Sequence, residues 1–213
     1  MATPARPRVV VFDIGGVLID WDPRHLYRKL IADAAAMEDF LERVCTPAWN
    51  LALDRGRPFA LGVDELQRQY PHLGSLIAAY DQRWDEMVAG IHGETVDLLR
   101  ALAAAGVPLY AITNFSVEKF ALVVARYDFF QLFKGIVVSG ALGVVKPDPA
   151  IFRAFVETYR LTAGDCLFID DSPQNVAGAR AFGMAAVHYT SAADLARQLA
   201  AYGFPAMPVV TRR

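Results

Sequence analysis

The stretch that decides the fold reads Val9-Val10-Val11-Phe12-Asp13-Ile14-Gly15-Gly16-Val17-Leu18. Its β-branched and aromatic start predicts a buried strand, because such residues are typical of strands. The strand ends on Asp13, and the glycine pair after it predicts a turn whose backbone N–H groups can hold an anion. Asp13 is therefore a candidate nucleophile, although a strand-end aspartate that only makes a turn is the commoner case when nothing else supports it.

Length, charge and cysteine content limit the class of protein. The chain has 213 residues, which suits one large domain or a core with an insertion, and a formal net charge of −2. Acids and bases are interspersed, so neither a nucleic-acid partner nor a membrane surface is predicted. No apolar run approaches the roughly 20 residues of a bilayer helix and no signal peptide is visible, so we expect a cytoplasmic protein, as a monomer or homodimer. Cys45 and Cys166 are expected to be reduced, without a disulfide or a zinc site.

The second half of the chain predicts a doubly wound α/β core. Helical and strand-like segments alternate from Gly93 onward, which indicates a parallel sheet that is covered on both faces. After the strand that ends on Asp13, the predicted strands are residues 109–113, 136–139, 166–170 and 185–189. The predicted helices are residues 95–105, 149–160 and 172–183.

The segment between the first strand and this core has a different pattern. Residues 21–92 contain helical patterns and turn residues but no convincing strand, which predicts an inserted helical domain between core segments 1–20 and 93–213. Helices are expected at 38–44, 63–70 and 76–88, with a loop at 55–58. Trp84 and Met87 fit the inward face of the third helix better than a ligand contact.

Several predicted strands end on chemically useful side chains. Because ligands of parallel sheets gather at the carboxyl ends of the strands, these side chains converge if the strand order brings them together. Three carboxylates, one lysine and several hydrogen-bond donors suit a phosphoryl group with a divalent cation. The residues are Asp13, Thr113, Asn114, Lys146, Asp170 and Asp171.

Each residue has a distinct expected role. Asp13 attacks phosphorus, and Mg²⁺ neutralises the repulsion between the nucleophile and the phosphate. The expected metal ligands are Asp13, Asp171 and the Gly15 carbonyl, with Asp170 acting through water.

The phosphate-binding roles fall on the other members of the set. Thr113 and Asn114 are expected to donate hydrogen bonds to phosphoryl oxygens, while Lys146 balances the charge of both the phosphate and Asp13. Each signal is weak when taken singly, because strand-end turns, loop lysines and helix-capping aspartates are common.

Taken together, the chain resembles the haloacid dehalogenase-like hydrolase superfamily. The four motifs of that superfamily appear in order at residues 12–18, 112–114, 146–149 and 168–172. The resemblance implies a doubly wound Rossmann-like core, a helical cap inserted between the first two motifs, and catalysis through a covalent intermediate on Asp13.

The chain departs from the phosphatases of that superfamily at Gly15. They usually carry a second aspartate there, which protonates the leaving group, whereas the dehalogenases and some sugar-phosphate phosphatases lack it. Dehalogenases have an uncharged Ser-Ser-Asn type sequence at the last motif, so Asp170 and Asp171 favour a Mg²⁺-dependent phosphatase of a small phosphorylated metabolite, such as a sugar phosphate. The alternative is a metal-independent 2-haloacid dehalogenase with an aspartyl-ester intermediate; a non-catalytic phospho-ligand binder comes third.

The residue that replaces the missing acid is left open by the sequence. The leaving group could need little protonation, or another residue or water could serve. Asp20 is the nearest candidate, but an exposed loop acid explains it better, and Asp22 is explained by the helix start before Pro23.

Substrate contacts are expected from the inserted segment. Trp49, Asn50 and Arg55 cluster there with Asp54, and packing of the tryptophan and a solvated Asp54–Arg55 pair are the competing interpretations. Arg43 and Arg55 would serve the dehalogenase alternative, which needs a cap arginine.

Overall fold

A computed structural model describes residues 6–205 of the chain, and these residues contain seven strands. Five of them form a parallel sheet in the order β5-β4-β1-β6-β7, while β2 and β3 form a separate antiparallel pair. The predicted α/β class with a doubly wound parallel sheet is confirmed. The strands are β1 (Val9–Phe12), β2 (Ile19–Trp21), β3 (Val88–Ile91), β4 (Leu109–Thr113), β5 (Gly135–Val138), β6 (Cys166–Asp170) and β7 (Ala185–His188).

The helices fall into an inserted group between β2 and β3 and a core group after β3. The inserted helices are α1 (Arg24–Tyr27), α2 (Ala34–Arg43), α3 (Pro47–Asp54), α4 (Phe59–Gln69) and α5 (Gly74–Gln82). The core helices are α6 (Gly93–Ala104), α7 (Val117–Arg126), α8 (Ser139–Leu142), α9 (Pro149–Tyr159), α10 (Pro173–Phe182) and α11 (Ala192–Ala201). None of them combines the length and apolarity that a membrane crossing requires.

Helices cover both faces of the sheet, and successive side chains of a strand pack against the helices of opposite faces. In β1, Val9 and Val11 pack into one cluster with α9 and α10, whereas Val10 and Phe12 pack into the other with α6 and α11. This burial explains why the strands are continuous apolar runs rather than alternating ones.

The strand register places the candidate catalytic residues. Phe12 of β1 pairs with Ile169 of β6, so Asp13 and Asp170 follow side by side at the carboxyl edge. β1 lies between β4 and β6, where the chain changes direction across the sheet, and ligands of such folds bind at this switch point.

The inserted segment differs from the expectation in two respects, of which the first is that α3 was not among the predicted helices and the second concerns the predicted third helix. Residues 76–88 are not one helix: α5 ends at Gln82, a 3-10 turn covers Trp84–Met87, and β3 begins at Val88. The prediction that residues 21–92 contain no strand is therefore wrong. β3 is four residues long and includes Gly90, so its own pattern is weak, and its hydrogen bonds come from β2, far earlier in the chain.

Candidate active site

Asp13 is held in position at the tip of β1. Its backbone N–H donates to the Ile169 carbonyl at 2.8 Å, which extends the sheet by one residue. Its Oδ1 accepts a hydrogen bond from the Ile14 N–H at 2.7 Å, and its Oδ2 lies 2.8 Å from Lys146 Nζ. The carboxylate is thus buried and fixed by two contacts, as a nucleophile requires.

Lys146 is the centre of the site, and its side chain is fully buried. Its ammonium group contacts Asp13 Oδ2, Asp170 Oδ2 at 2.7 Å and the Ile112 carbonyl at 3.0 Å. These three acceptors match the three ammonium hydrogens. The Asn114 amide fixes the backbone of Lys146, because its Oδ1 accepts from the Lys146 N–H at 2.8 Å and its Nδ2 donates to the Lys146 carbonyl at 3.1 Å.

The acidic loop after β6 brings two more carboxylates to the same place. Asp170 accepts hydrogen bonds from the Ser172 N–H at 2.8 Å and from Asn175 Nδ2 at 3.0 Å, besides its contact with Lys146. One oxygen each from Asp13, Asp170 and Asp171 lies within 4.8 Å of the others. Three carboxylates facing one lysine leave a surplus of two negative charges, and oxygen donors of this kind fit Mg²⁺.

The pKa values of these groups reflect the crowding of charge. Burial raises the pKa of Asp13 to about 8, although Lys146 opposes the shift. Burial and the charge of Asp170 also raise the pKa of Asp171. Burial alone would lower the pKa of Lys146, but the two adjacent carboxylates outweigh burial and raise it. A bound divalent cation would relieve the repulsion between the carboxylates.

Thr113 presents an unpaired polar atom at the end of β4. Its hydroxyl is buried and has no hydrogen-bond partner within residues 6–205. Burying a hydroxyl without a hydrogen-bond partner costs about 1–3 kcal/mol of folding free energy. A ligand that accepts a hydrogen bond from this hydroxyl recovers that free energy on binding. A phosphoryl oxygen at the sheet edge fits this role.

A small cleft of about 60 Å³ lies between the sheet edge and the inserted helices. Its wall combines aromatic rings with polar groups, as the walls of small-molecule sites do. The lining residues are Gly15, Trp21, Asn50, Asp54, Trp84, Asn114, Phe115, Ser116 and Lys119. Trp84 therefore is buried, as expected, and also faces this cleft.

The three predicted substrate residues lie in different places. Asn50 lines the cleft, but Trp49 and Arg55 are not among its lining residues. Trp49 donates from Nε1 to the Gly62 carbonyl at 3.3 Å and packs edge-on against Tyr80, which is the packing interpretation. Arg55 is exposed on a separate surface depression.

The other carboxylates and the cap arginine considered from the sequence lie outside the cleft lining. The Asp20 carboxylate contacts His25 Nε2 at 2.9 Å and is 42% exposed. Asp22 accepts a hydrogen bond from the Arg24 N–H at 2.8 Å, in the first turn of α1. Arg43 is exposed and pairs with Asp39.

Some residues of the cleft were not predicted from the sequence. Trp21, the last residue of β2, lines it beside the register shift in the β2–β3 pairing. Ser116 caps α7 by accepting from the Lys119 N–H, and the Lys119 ammonium pairs with Asp81. The Ser116-Val117-Glu118-Lys119 start of a helix directly after the Thr113 strand is a signal that could have found both residues.

The α/β fold, with its cluster of carboxylates and one buried lysine at the carboxyl edge of the sheet, is that of a hydrolase, and a family model identifies the class. The model described as haloacid dehalogenase-like hydrolase matches residues 7–183, so the chain belongs to that family.

Two curated proteins and two solved structures illustrate the relationship. A sesquiterpene phosphatase of Aspergillus oryzae is 27% identical over 192 residues, covering 86% of this chain and 90% of its own. A phosphoglycolate phosphatase of Pseudomonas fluorescens is 28% identical and covers 85% and 68%, respectively. A HAD family enzyme of Bacteroides thetaiotaomicron is similar with a TM-score of 0.73 at 20% identity, covering 92% of this chain and 99% of its own. An L-2-haloacid dehalogenase of Xanthobacter autotrophicus has a TM-score of 0.63 at 20% identity, covering 93% and 84%, so the fold alone does not separate the two reactions.

Proposed function

We propose that this chain is a Mg²⁺-dependent phosphatase that acts on a small phosphorylated metabolite through an aspartyl-phosphate on Asp13. The observation that carries the proposal is the gathering of Asp13, Asp170 and Asp171 within 4.8 Å around one buried lysine. This negative surplus suits a cation together with a phosphate, whereas a haloacid would add its own carboxylate with no cation to balance it. The two curated relatives named above are phosphatases, which supports the same choice.

The metal ligands in this proposal are Asp13, Asp171 and the Gly15 carbonyl, with Asp170 acting through water. The oxygens of Asp170 are already bonded to Lys146, Ser172 and Asn175, which supports the indirect role. When bound, Mg²⁺ supplies positive charge that offsets the repulsion between the carboxylate nucleophile and the phosphate.

The remaining chemistry belongs to the side chains of the core. Asp13 attacks phosphorus from the position that Ile14 and Lys146 fix. The Thr113 hydroxyl donates to a phosphoryl oxygen, and Lys146 stabilises the charge that develops there. Asn114 positions Lys146 through its two backbone hydrogen bonds, and its second amide hydrogen is available to the phosphate.

The inserted residues 21–92 act in this proposal as a cap that selects the substrate. Trp21 and Trp84 from this segment and Phe115 from the core give the cleft an aromatic wall, while Asn50 offers a polar contact. A phosphate ester with a small apolar or mixed organic group matches such a wall.

The test is an assay with two substrates and two metal conditions. We expect the purified protein to release phosphate from 4-nitrophenyl phosphate with Mg²⁺, to stop with a chelator, and to lose at least about 10³-fold in kcat in the Asp13→Asn variant. Chloride release from L-2-chloropropionate that persists with the chelator would instead identify a dehalogenase. Absence of both activities, with retained binding of inorganic phosphate, would identify a binding protein.

A further inference from the structure

The proposed phosphatase reaction needs a proton donor that the nucleophile loop lacks. An alkoxide leaving group is strongly basic and departs readily only if it receives a proton. Position 15 is glycine, and the ideal Cβ position there has no atom within 4 Å, so the cleft is open at this point. A donor must therefore approach from another wall of the cleft.

The carboxylates near the nucleophile loop do not meet this need. Asp20 is paired with His25 and Asp22 with the start of α1, and neither lines the cleft. Asp13, Asp170 and Asp171 serve the nucleophile and the cation. Within the described residues, Asp54 is the one carboxylate among those that line the cleft.

The position of Asp54 is fixed by contacts with both the inserted helices and the core. Its Oδ2 accepts a hydrogen bond from Asn50 Nδ2 at 2.8 Å, one turn earlier on α3, and its carboxylate also accepts from the Ser116 N–H. Its backbone carbonyl accepts from Ser139 Oγ at 2.5 Å. The same Ser139 Oγ accepts from the Phe115 N–H at 2.8 Å, so the end of α3 is tied to the loop that follows Thr113.

A glycine pair allows this close approach. Gly56, two residues after Asp54, has a φ of 103°, and a Cβ there would overlap the Gly140 carbonyl at 2.7 Å. The backbone after α3 thus lies directly against the backbone after β5. A side chain on an element held this closely keeps its direction, as a catalytic group must.

The chemical state of Asp54 agrees with its location. Burial raises its pKa to about 7, although the hydrogen bonds from Ser116 and Asn50 and the charge of Lys146 oppose the shift. A carboxyl group that titrates near neutral pH can give up a proton and take one back in the same catalytic cycle.

We propose that Asp54 is the general acid and base of this site, supplied by the inserted helices in place of a side chain at position 15. The inference rests on the proposed phosphatase function. As the Asp13 oxygen bonds to phosphorus and the bond from phosphorus to the ester oxygen breaks, the Asp54 carboxyl transfers its proton to that oxygen and the alcohol leaves. Water then attacks phosphorus, its proton passes to the Asp54 carboxylate, and the bond between phosphorus and Asp13 breaks to release inorganic phosphate.

The first test compares two esters of similar size that differ in their leaving group. With benzyl phosphate, whose alcohol needs a proton, we expect Asp54→Asn to lower the single-turnover rate at least about 100-fold. With 4-nitrophenyl phosphate, whose phenolate leaves without one, we expect a loss of less than about tenfold in the first turnover, followed by accumulation of aspartyl-phosphate. Equal losses on the two esters would overturn the proposal and leave Asp54 with a structural role.

The second test restores a carboxyl group at the empty position. Gly15 has no left-handed φ and no neighbour at its Cβ position, so a side chain fits there without strain. We expect Gly15→Asp in the Asp54→Asn background to recover benzyl phosphate turnover at least about tenfold, and Gly15→Asn to recover none. No recovery with the aspartate would count against proton donation into this cleft.

Controls separate this inference from the function on which it rests. Asp20→Asn removes a carboxylate outside the cleft lining and should leave both esters within about twofold of the wild type. If the wild type is active with Mg²⁺ and Asp54→Asn is equally active, only the Asp54 inference fails. If the wild type hydrolyses neither ester, the phosphatase proposal fails and this inference fails with it.

Discussion

The two sides of the cleft are built on different principles. On the sheet-edge side, Gly15 and Asn114 line the cleft, and next to them in the chain and in contacts lie the buried Asp13, Lys146 and Asp170, joined by charge-assisted contacts, and the unpaired Thr113 hydroxyl. The helical side presents aromatic rings and the Asn50–Asp54 pair on elements inserted after β2. In the proposed reaction, the side with concentrated charge would serve the reacting phosphate, while the more neutral side would serve the leaving group and the rest of the substrate.

The largest expected effect is a loss of stability when the buried lysine of the sheet-edge side is replaced. Lys146→Met removes the single cation between Asp13 and Asp170, and removal of one partner from a buried ion pair costs about 3–5 kcal/mol. We expect the free energy of unfolding to fall by that amount in denaturant titrations with a chelator present. The matched control is Lys29→Met, whose exposed pair with Glu86 should cost no more than about 1 kcal/mol. Similar losses for the two variants would mean that Lys146 does not hold the site together.

The next prediction concerns the charge of the helical side. Burial raises the native pKa of Asp54 to about 7, well above the usual value of an aspartate carboxyl, so folding favours the protonated form. The contribution of Asp54 to stability is therefore greatest below about pH 4, declines as the pH rises toward 7, and is constant above it. Relative to Asp54→Asn, the wild-type free energy of unfolding should fall by about 2 kcal/mol between about pH 5 and pH 7. If the difference in unfolding free energy between the wild type and Asp54→Asn stays constant over this pH range, the Asp54 carboxyl is hydrated and not buried.

A third prediction concerns Gly15 and Gly16, the adjacent glycines of the loop after β1. Gly16 has a φ of 71°, and a methyl group there would overlap the Asp171 carboxylate, whereas Gly15 has open space. We expect Gly16→Ala to lose about 1–2 kcal/mol of unfolding free energy, the cost of a left-handed conformation for alanine. Gly15→Ala should be neutral or gain up to about 1 kcal/mol, because it only restricts the unfolded chain. If the two substitutions change the thermal unfolding equally, Gly16 is not the position of the loop that requires a left-handed backbone.

The sheet-edge side could be predicted from the sequence because short buried strands end at defined positions. Each apolar run of β1, β4 and β6 is followed by its polar residue at the carboxyl edge, so spacing alone located Asp13, Thr113 and Asp170. Convergence depended on the strand order, which local pattern does not contain.

The helical side could not be predicted in the same way. Trp21 belongs to β2, which is three residues long, and its pairing partner β3 lies far along the chain and has no clear pattern of its own. The position of Asp54 depends on contacts with Ser116 and Ser139, far along the chain. Asn50 and Asp54 lie one turn apart on α3, a helix that was not among the predicted ones.

The smallest expected effect is on kcat/KM and compares Arg55, which lies outside the cleft lining, with Asn50, which lies within it. Arg55 was one of the candidate substrate contacts, but its side chain is exposed on a depression formed with Ala48, Leu51 and Arg57. Asn50, five residues earlier, lines the cleft and accepts a hydrogen bond from the Tyr80 hydroxyl at 2.9 Å. We therefore expect Arg55→Ala to keep kcat/KM within about twofold of the wild type on 4-nitrophenyl phosphate. We expect Asn50→Ala to lower it at least about fivefold, because this change removes one hydrogen bond from Asp54 and the hydrogen-bond acceptor of the Tyr80 hydroxyl. A larger loss in Arg55→Ala than in Asn50→Ala would show that the substrate extends beyond the cleft toward the 55–58 loop.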